Sequence, residues 1–331
     1  MIPLISKGSQ RQATPPANKS RIVRRFSITK NNFRRYWILL IMMLPLTAVI
    51  IIDQYIPLTG LVMAFKNVNY VDGMYKSPNV GFKNFEFLFN SGDAWLITKN
   101  TLYYGFVFIV FNLVLAVLIA LVLNELRGKF KSRLYQTIFI MPYFLSMVVT
   151  SFIVYAFLHP QNGFINMMLK NFGFNPIDWY GAQGANLWYI ILPIVNAWKM
   201  VGYNSVIYLA SLLGIDKTYY EAATIDGATK LQQIRYITLP FIKPVFIVMF
   251  LLALGNVMRS DFGMFYQVTR DSGSLYPITQ VIDTYVYRSM MTLNNLGMST
   301  AAGLYQSLVG FFMIIGANLL VRKIDRDSAL I

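Results

Sequence analysis

The chain has 331 residues, of which 56% are hydrophobic, 15% aromatic and only 13% charged, against roughly 25% charged in an ordinary soluble domain. This balance describes a polytopic membrane protein. There is no cysteine and only one histidine, which excludes a disulfide framework, a thiolate zinc site and a cysteine nucleophile, and leaves His159, beside Pro160, as an interfacial loop residue rather than a metal ligand.

Apolar runs long enough for the roughly 20 residues of a spanning helix occur at about 37–56, 101–123, 134–158, 186–214, 242–258 and 301–321. These predict six transmembrane helices in an all-α polytopic fold, the fifth being short. The formal net charge of +15 follows the same plan. With the N-terminus in the cytoplasm, 20 of the 29 Lys and Arg residues and 6 of the 14 acidic residues fall on the cytoplasmic side, while 8 of each fall outside. Positive flanking loops face inward, so both termini are expected in the cytoplasm. No nucleic-acid partner is needed to account for the charge.

Residues 1–35 form a polar, basic head without an acidic residue. Such a composition predicts a disordered cytoplasmic segment ending at the headgroups, followed by a single membrane domain at 36–331. Span one carries Pro45, read as a kink that neighbouring groups can satisfy. After it, GFKNFEFLF at 81–89 suits an amphipathic helix lying at the outer interface. Span two is read as opening at Asn100-Thr101, span three as ending near His159, and span four as returning inward at Gly214. Trp198 reads as a packing or lipid-facing residue.

Between spans four and five lies EAATIDGATKLQQIRYITLP, 221–240, within a loop at about 216–243. Asp216 can cap a first short helix, and Asp226-Gly227 can end it because glycine accepts a positive backbone angle. Thr229 with Gln232 has the form of a capping box for a second helix. Leu231, Ile234 and Ile237 give that helix an apolar stripe, and Pro240 is expected to end it. Glu221 beside the small Ala222 and Ala223 offers a face that another surface can approach closely. A loop this structured reads as a docking element, with an amphipathic linker on the headgroups as the plainer alternative.

Glu221-Ala222-Ala223, Gly227, Ile237 and Leu239-Pro240 stand at the spacing of the EAA loop. In this respect the chain resembles the permease subunits of binding-protein-dependent carbohydrate ABC importers. GFKNFEFLF, NTL at 100–102, DFGMFYQVT and VIDTYVYR extend the likeness to the polysaccharide-type branch of the MalF-like family, over roughly 35–331. The resemblance implies a type I ABC importer permease fold in a bacterial cytoplasmic membrane. It also implies a non-catalytic subunit whose elbow sits in a cleft of a separate ATPase, with Glu221 as polar anchor, Ala222 and Ala223 as contact face, and Asp226, Gly227, Leu239 and Pro240 shaping the turn. The partners implied are a second homologous permease, two ATPases that bind ATP and Mg, an extracytoplasmic solute-binding protein, a saccharide and membrane lipid. No cofactor is expected in this chain, which lacks G-x-x-x-x-G-K-[ST].

Polar groups at membrane depth are costly and usually face a pathway or a partner. Asn196, Lys199 and Tyr203 share one helical face by their spacing, and span five ends with Asn256, Arg259 and Ser260. The resemblance places saccharide contacts at these distances before and after the EAA glutamate. Two cations beside the route favour an acidic, uronate-containing oligosaccharide. The alternative, an ion-coupled secondary carrier, would require acidic residues at mid-membrane, and Asp53 and Asp261 lie near the outer ends of their spans.

Overall fold

The computed structural model describes residues 30–90, 92–126 and 128–324, so the basic head before Lys30 lies outside the described residues. The chain separates into two units, Met1–Pro57 and Leu58–Ile331. In the first, α1 (Lys30–Ile50) runs through Pro45 and opens into a π turn at Ile51–Tyr55. It begins within the stretch read as the basic head.

The second unit is almost wholly helical. Among the described residues its single β feature is a bridge between Lys66 and Asn79. Close by, α2 (Lys83–Asn90) forms where GFKNFEFLF predicts a helix. Phe65 packs against Phe82 and Phe85 at ring separations of 5.5 and 5.6 Å, and the Asn84 amide donates to the carbonyls of Ala64 and Lys66 at 2.9 and 3.0 Å.

Among the described residues, five helical runs are long and apolar enough to cross a membrane: Tyr36–Phe65, Asp93–Glu125, Ala185–Leu213, Lys230–Gly255 and Leu296–Lys323. The second of these is α3 (Asp93–Glu125), so Asn100 and Thr101 lie inside the helix and do not open it. Both are buried, and they pin the later chain: Asn100 Nδ2 donates to the Pro277 and Gln280 carbonyls at 3.2 and 3.1 Å, and Thr101 Oγ1 accepts from the Ile282 amide at 3.0 Å.

The third apolar run departs from the single straight span expected. It consists of α4 (Lys129–Ile140) and α5 (Met147–Leu158), and across the break the chain bends by 99°. A tight 3-10 turn at Met141–Phe144 contains Pro142, Leu145 is extended, and the Ser146 side chain caps α5 by accepting from the Val149 amide. Hydropathy is blind to this break because every residue from Ile138 to Leu145 but Pro142 is apolar.

Beyond α5, the chain turns at α6 (Phe164–Asn171). Asn166, fully buried, donates to the Pro160 and Ile177 carbonyls and accepts from the Trp179 indole, at 2.8 to 3.0 Å. The fourth span, α7 (Trp188–Leu213), lies against α3 and α4. Gly202 makes this possible, since a β-carbon there would collide with the Phe139 carbonyl of α4. In lipid, helices associate through such close packing rather than through transfer from water. Trp198 points outward and is exposed.

After α8 (Lys217–Ile225) and the single turn α9 (Lys230–Gln233), the chain does not stop at Pro240. It passes through a π turn at Ile234–Thr238 straight into α10 (Leu239–Gly255). The Leu239 amide reaches back to the Ile234 carbonyl, one residue further than in an α-helix, and this wider turn accommodates the ring and missing N–H of a proline that would otherwise break the ladder. The fifth span therefore begins at Lys230, which explains why it looks short when counted from hydropathy. Two last helices, α11 (Ile282–Met291) and α12 (Leu296–Ile324), complete the unit.

Candidate coupling elbow and candidate translocation face

The elbow is built by local rules at every junction. Asp216 caps α8 by accepting from the Thr218 amide at 3.0 Å, and hydrogen bonding to Thr218 holds its carboxyl below the usual range. At the other end Gly227 has φ +79°. Its amide donates to the Thr224 carbonyl at 3.1 Å while that of Ala228 donates to the Ala223 carbonyl at 2.8 Å, the paired bonds of a Schellman motif. Two residues on, the capping box forms: Thr229 Oγ1 accepts from the Gln232 amide and Gln232 Oε1 accepts from the Thr229 amide.

Side chains then lock the two limbs together. Gln233 Nε2 donates to Thr224 Oγ1 at 2.9 Å, and the Tyr220 and Thr238 hydroxyls are 3.0 Å apart. These pairings had no signal in the sequence, since polar residues facing each other across a turn resemble any solvated loop. The predicted apolar stripe is reassigned: Ile234 and Ile237 are half-buried, but Leu231 is 75% exposed. Ile225 is 87% exposed, and Glu221 and Ala222 are also on the surface, with Ala223 half-buried beneath them. Leu239 and Pro240 are exposed at the root of α10. A rigid elbow that displays large apolar side chains around a small-residue face has the character of an interaction surface.

The residues read as a translocation face divide into a buried and an open set. Lys199 is only 6% exposed. Its ammonium donates to the carbonyls of Pro142 at 3.4 Å, Tyr143 at 3.2 Å and Leu145, where α4 breaks from α5, and the Pro142 carbonyl also accepts from the Leu145 amide at 3.2 Å. Asn196 is buried as well, its Oδ1 accepting from Asn112 Nδ2 at 2.7 Å and its Nδ2 facing the Met264 sulfur at 3.9 Å. One turn on, Tyr203 is 44% exposed and stacks on Tyr143 at 4.2 Å. Asn256 and Arg259 are exposed at the end of α10, with Asn256 Nδ2 donating to the Leu252 carbonyl at 3.0 Å. Ser260 is fixed through its amide, which donates to Asp283 at 2.7 Å, and Gln306 donates to the same carboxylate at 3.1 and 3.2 Å. Tyr143, Met264, Asp283 and Gln306 support the face; Met264 and Asp283 lie in the stretches DFGMFYQVT and VIDTYVYR, which mark the family resemblance but not this role.

Residues 112–326 match the family of binding-protein-dependent transport system inner membrane components. The chain belongs to that family. As one of its permeases it is a multi-pass, non-catalytic membrane subunit of a transporter, and an ion-coupled carrier finds no support. It is similar to Protein LplB of Bacillus subtilis, at 30% identity over 89% of this chain and 91% of the relative. The polygalacturonan/rhamnogalacturonan transport system permease protein YteP of the same organism is 31% identical over 88% and 89% of the two chains. Among solved structures, a bacterial ABC transporter involved in the import of the acidic polysaccharide alginate superposes on 89% of this chain and 98% of its own, with a TM-score of 0.80 and 32% identity. The expected permease architecture therefore holds, with five candidate spans among the described residues and six when the pair bent between α4 and α5 is counted as one.

Proposed function

We propose that this permease forms half of the route for an acidic oligosaccharide through a bacterial cytoplasmic membrane, with both termini inside, and that ATP hydrolysis in a separate subunit drives it through the elbow at 216–243. The observation that carries the reading is the elbow itself: capped at both limbs, cross-braced, and yet exposing Glu221, Ala222 and Ile225. A self-sufficient loop would cover such side chains or replace them with charges.

The coupling follows as a two-state switch. Two ATPase subunits closing on ATP and Mg would pull this elbow and that of a second, homologous permease together. The differential grip on the two states biases which side of the membrane the route faces. A saccharide-loaded binding protein would dock on the outer segments, a reading supported by the solved bacterial alginate ABC transporter in complex with an alginate pentasaccharide-bound periplasmic protein. Tyr203, Asn256 and Arg259 supply an aromatic ring, an amide and a cation on the open face, groups suited to hydroxylated, carboxylated rings. The uronate lean draws support from the polygalacturonan and alginate systems among the relatives.

The test is co-expression with the ATPase, the second permease and the binding protein. Glu221→Ala and Ala222→Leu are expected to leave the membrane fold intact while reducing ATPase co-purification and binding-protein-stimulated ATP hydrolysis. Wild-type assembly and stimulation in both variants would remove the coupling role of the elbow.

A further inference from the structure

A cleft of about 270 Å³ lies between α5 and the π turn at Met264–Val268, lined by Val148, Ser151, Phe152, Tyr266, Gln267, Arg270 and Asp271. None of these residues belongs to the translocation face described above, but both walls grow out of it. One wall, α5, starts just past the Leu145 carbonyl that Lys199 holds. The other starts at Met264, whose sulfur faces Asn196. The cleft is thus tied through both of its walls to the segments that hold Asn196 and Lys199.

Its chemistry is that of a site for a carboxylated ring. Arg270 is exposed, and among the described residues its guanidinium has no carboxylate within ion-pair range. It lies over the face of Tyr155, 4.1 Å from the ring centroid. Stacking on an aromatic face holds a guanidinium in place while leaving its edge donors available. The neighbouring Asp271 would repel an anion, but its charge is matched by Arg288 at 3.8 Å, itself seated over the Tyr276 ring. The local balance at the cleft mouth is therefore positive.

The backbone fixes this arrangement. Arg270 and Asp271 stand consecutively in the left-handed region, at φ +56° and +47°, which non-glycine residues rarely occupy. The Arg270 amide donates to Gln267 O and that of Asp271 to Tyr266 O, both at 3.1 Å, while Tyr276 Oη donates to Asp271 O at 3.3 Å. Such a turn is held by its surroundings and sets where the guanidinium points. Around it, Tyr266 stacks on Phe262 at 5.0 Å and meets Tyr287 at 5.0 Å, giving an aromatic wall. Gln267 contributes an amide able to donate and accept.

We infer that this cleft is a second saccharide subsite, in which Arg270 reads the carboxylate of a uronate residue, Gln267 its hydroxyls, and the Tyr266 wall its apolar ring face. The inference rests on the saccharide reading of the preceding section. It assigns the selection of acidic over neutral sugar to a turn outside the pathway residues on α7 and α10.

The deciding experiment uses the full transporter, with its ATPases, second permease and binding protein, in proteoliposomes. The probes are a trigalacturonate and the same trisaccharide with its carboxyls reduced to alcohols. Arg270→Gln is expected to slow uptake of the acidic probe at least about tenfold, the loss of a charge-assisted pair, with little change for the reduced probe. Arg270→Lys should recover part of the loss, and Gln267→Ala should slow both probes alike. Melting temperature and binding-protein affinity are measured on each variant. Equal losses for both probes in Arg270→Gln, or a fall in melting temperature, would make Arg270 a packing residue over Tyr155 and overturn the subsite. A fall confined to binding-protein affinity would make it a docking residue and overturn it equally. Wild-type protein that carries neither probe would refute the saccharide reading itself, and the subsite with it.

Discussion

The elbow between α7 and α10 and the break between α4 and α5 are both interruptions of helices, and they are constructed oppositely. At the elbow the capping bonds come from residues within five positions: Asp216 for Thr218, Thr229 for Gln232, and the Gly227 turn for the Ala223 and Thr224 carbonyls of α8. At the break, Ser146 and the Leu145 amide act locally, but the carbonyls of Pro142, Tyr143 and Leu145 are gathered by a cation 54 to 57 positions away. The first interruption is a module that can move as a body. The second exists only while α7 stays in register beside it.

The largest expected effect tests the break. Lys199→Met keeps the length and apolar stem of the side chain but takes the ammonium donor from the Tyr143 and Leu145 carbonyls, while Pro142 keeps the Leu145 amide, at a cost of about 1–3 kcal/mol. Thermal unfolding of the purified complex should show a clear loss, and saccharide uptake should fall with it. Uptake lost at an unchanged melting temperature would instead place the ammonium in direct service of the substrate. The same position sharpens the reading of the face, because a lysine whose three donors are all engaged acts on the route through Tyr143, whose ring stacks on Tyr203.

A smaller effect belongs to the elbow. Gly227→Ala puts a β-carbon at φ +79° with no neighbouring atom within 4 Å, so the penalty is purely conformational, about 1–2 kcal/mol. Gly227→Asn should cost less, since asparagine tolerates the left-handed region. The two variants are expected to differ in ATPase coupling while the membrane core melts as in the wild type. A shift in core melting would show that the elbow is not an independent module.

The contrast also sets what was legible in the sequence. Asp216, Asp226-Gly227 and Thr229 with Gln232 could be read because capping is local chemistry, and the structure realises each of them. The spacing of Asn196, Lys199 and Tyr203 correctly marks polar groups on one helix, but helical period is silent on what stands opposite. Lys199 therefore could not be matched to a break whose residues read as plain hydrophobic span. Pro240 misled for a related reason. A proline ends a helix only if the turn before it is regular, and the π turn at Ile234–Thr238 removes that condition. The Arg270 turn lay beyond reach as well, since nothing in VTRDSG announces two consecutive left-handed residues that are not glycine.

The smallest effect is a titration confined to one end of the elbow. The Asp216 carboxyl titrates below its ordinary value of 3.8 because its charged form accepts from Thr218. A carboxylate whose folded value is depressed lends its full stabilisation above the unfolded value and loses it as the pH falls through the folded one. The protection of the Thr218 amide relative to its intrinsic exchange rate should therefore be constant down to about pH 4, then fall on further acidification as exchange approaches the intrinsic rate. Asp216→Asn, which retains an oxygen acceptor at the cap but cannot ionise, should abolish the step. Exchange at Thr218 that follows the intrinsic rate throughout in the wild type would mean that the first limb is held by its cross-braces to Gln233 and Thr238 rather than by its cap.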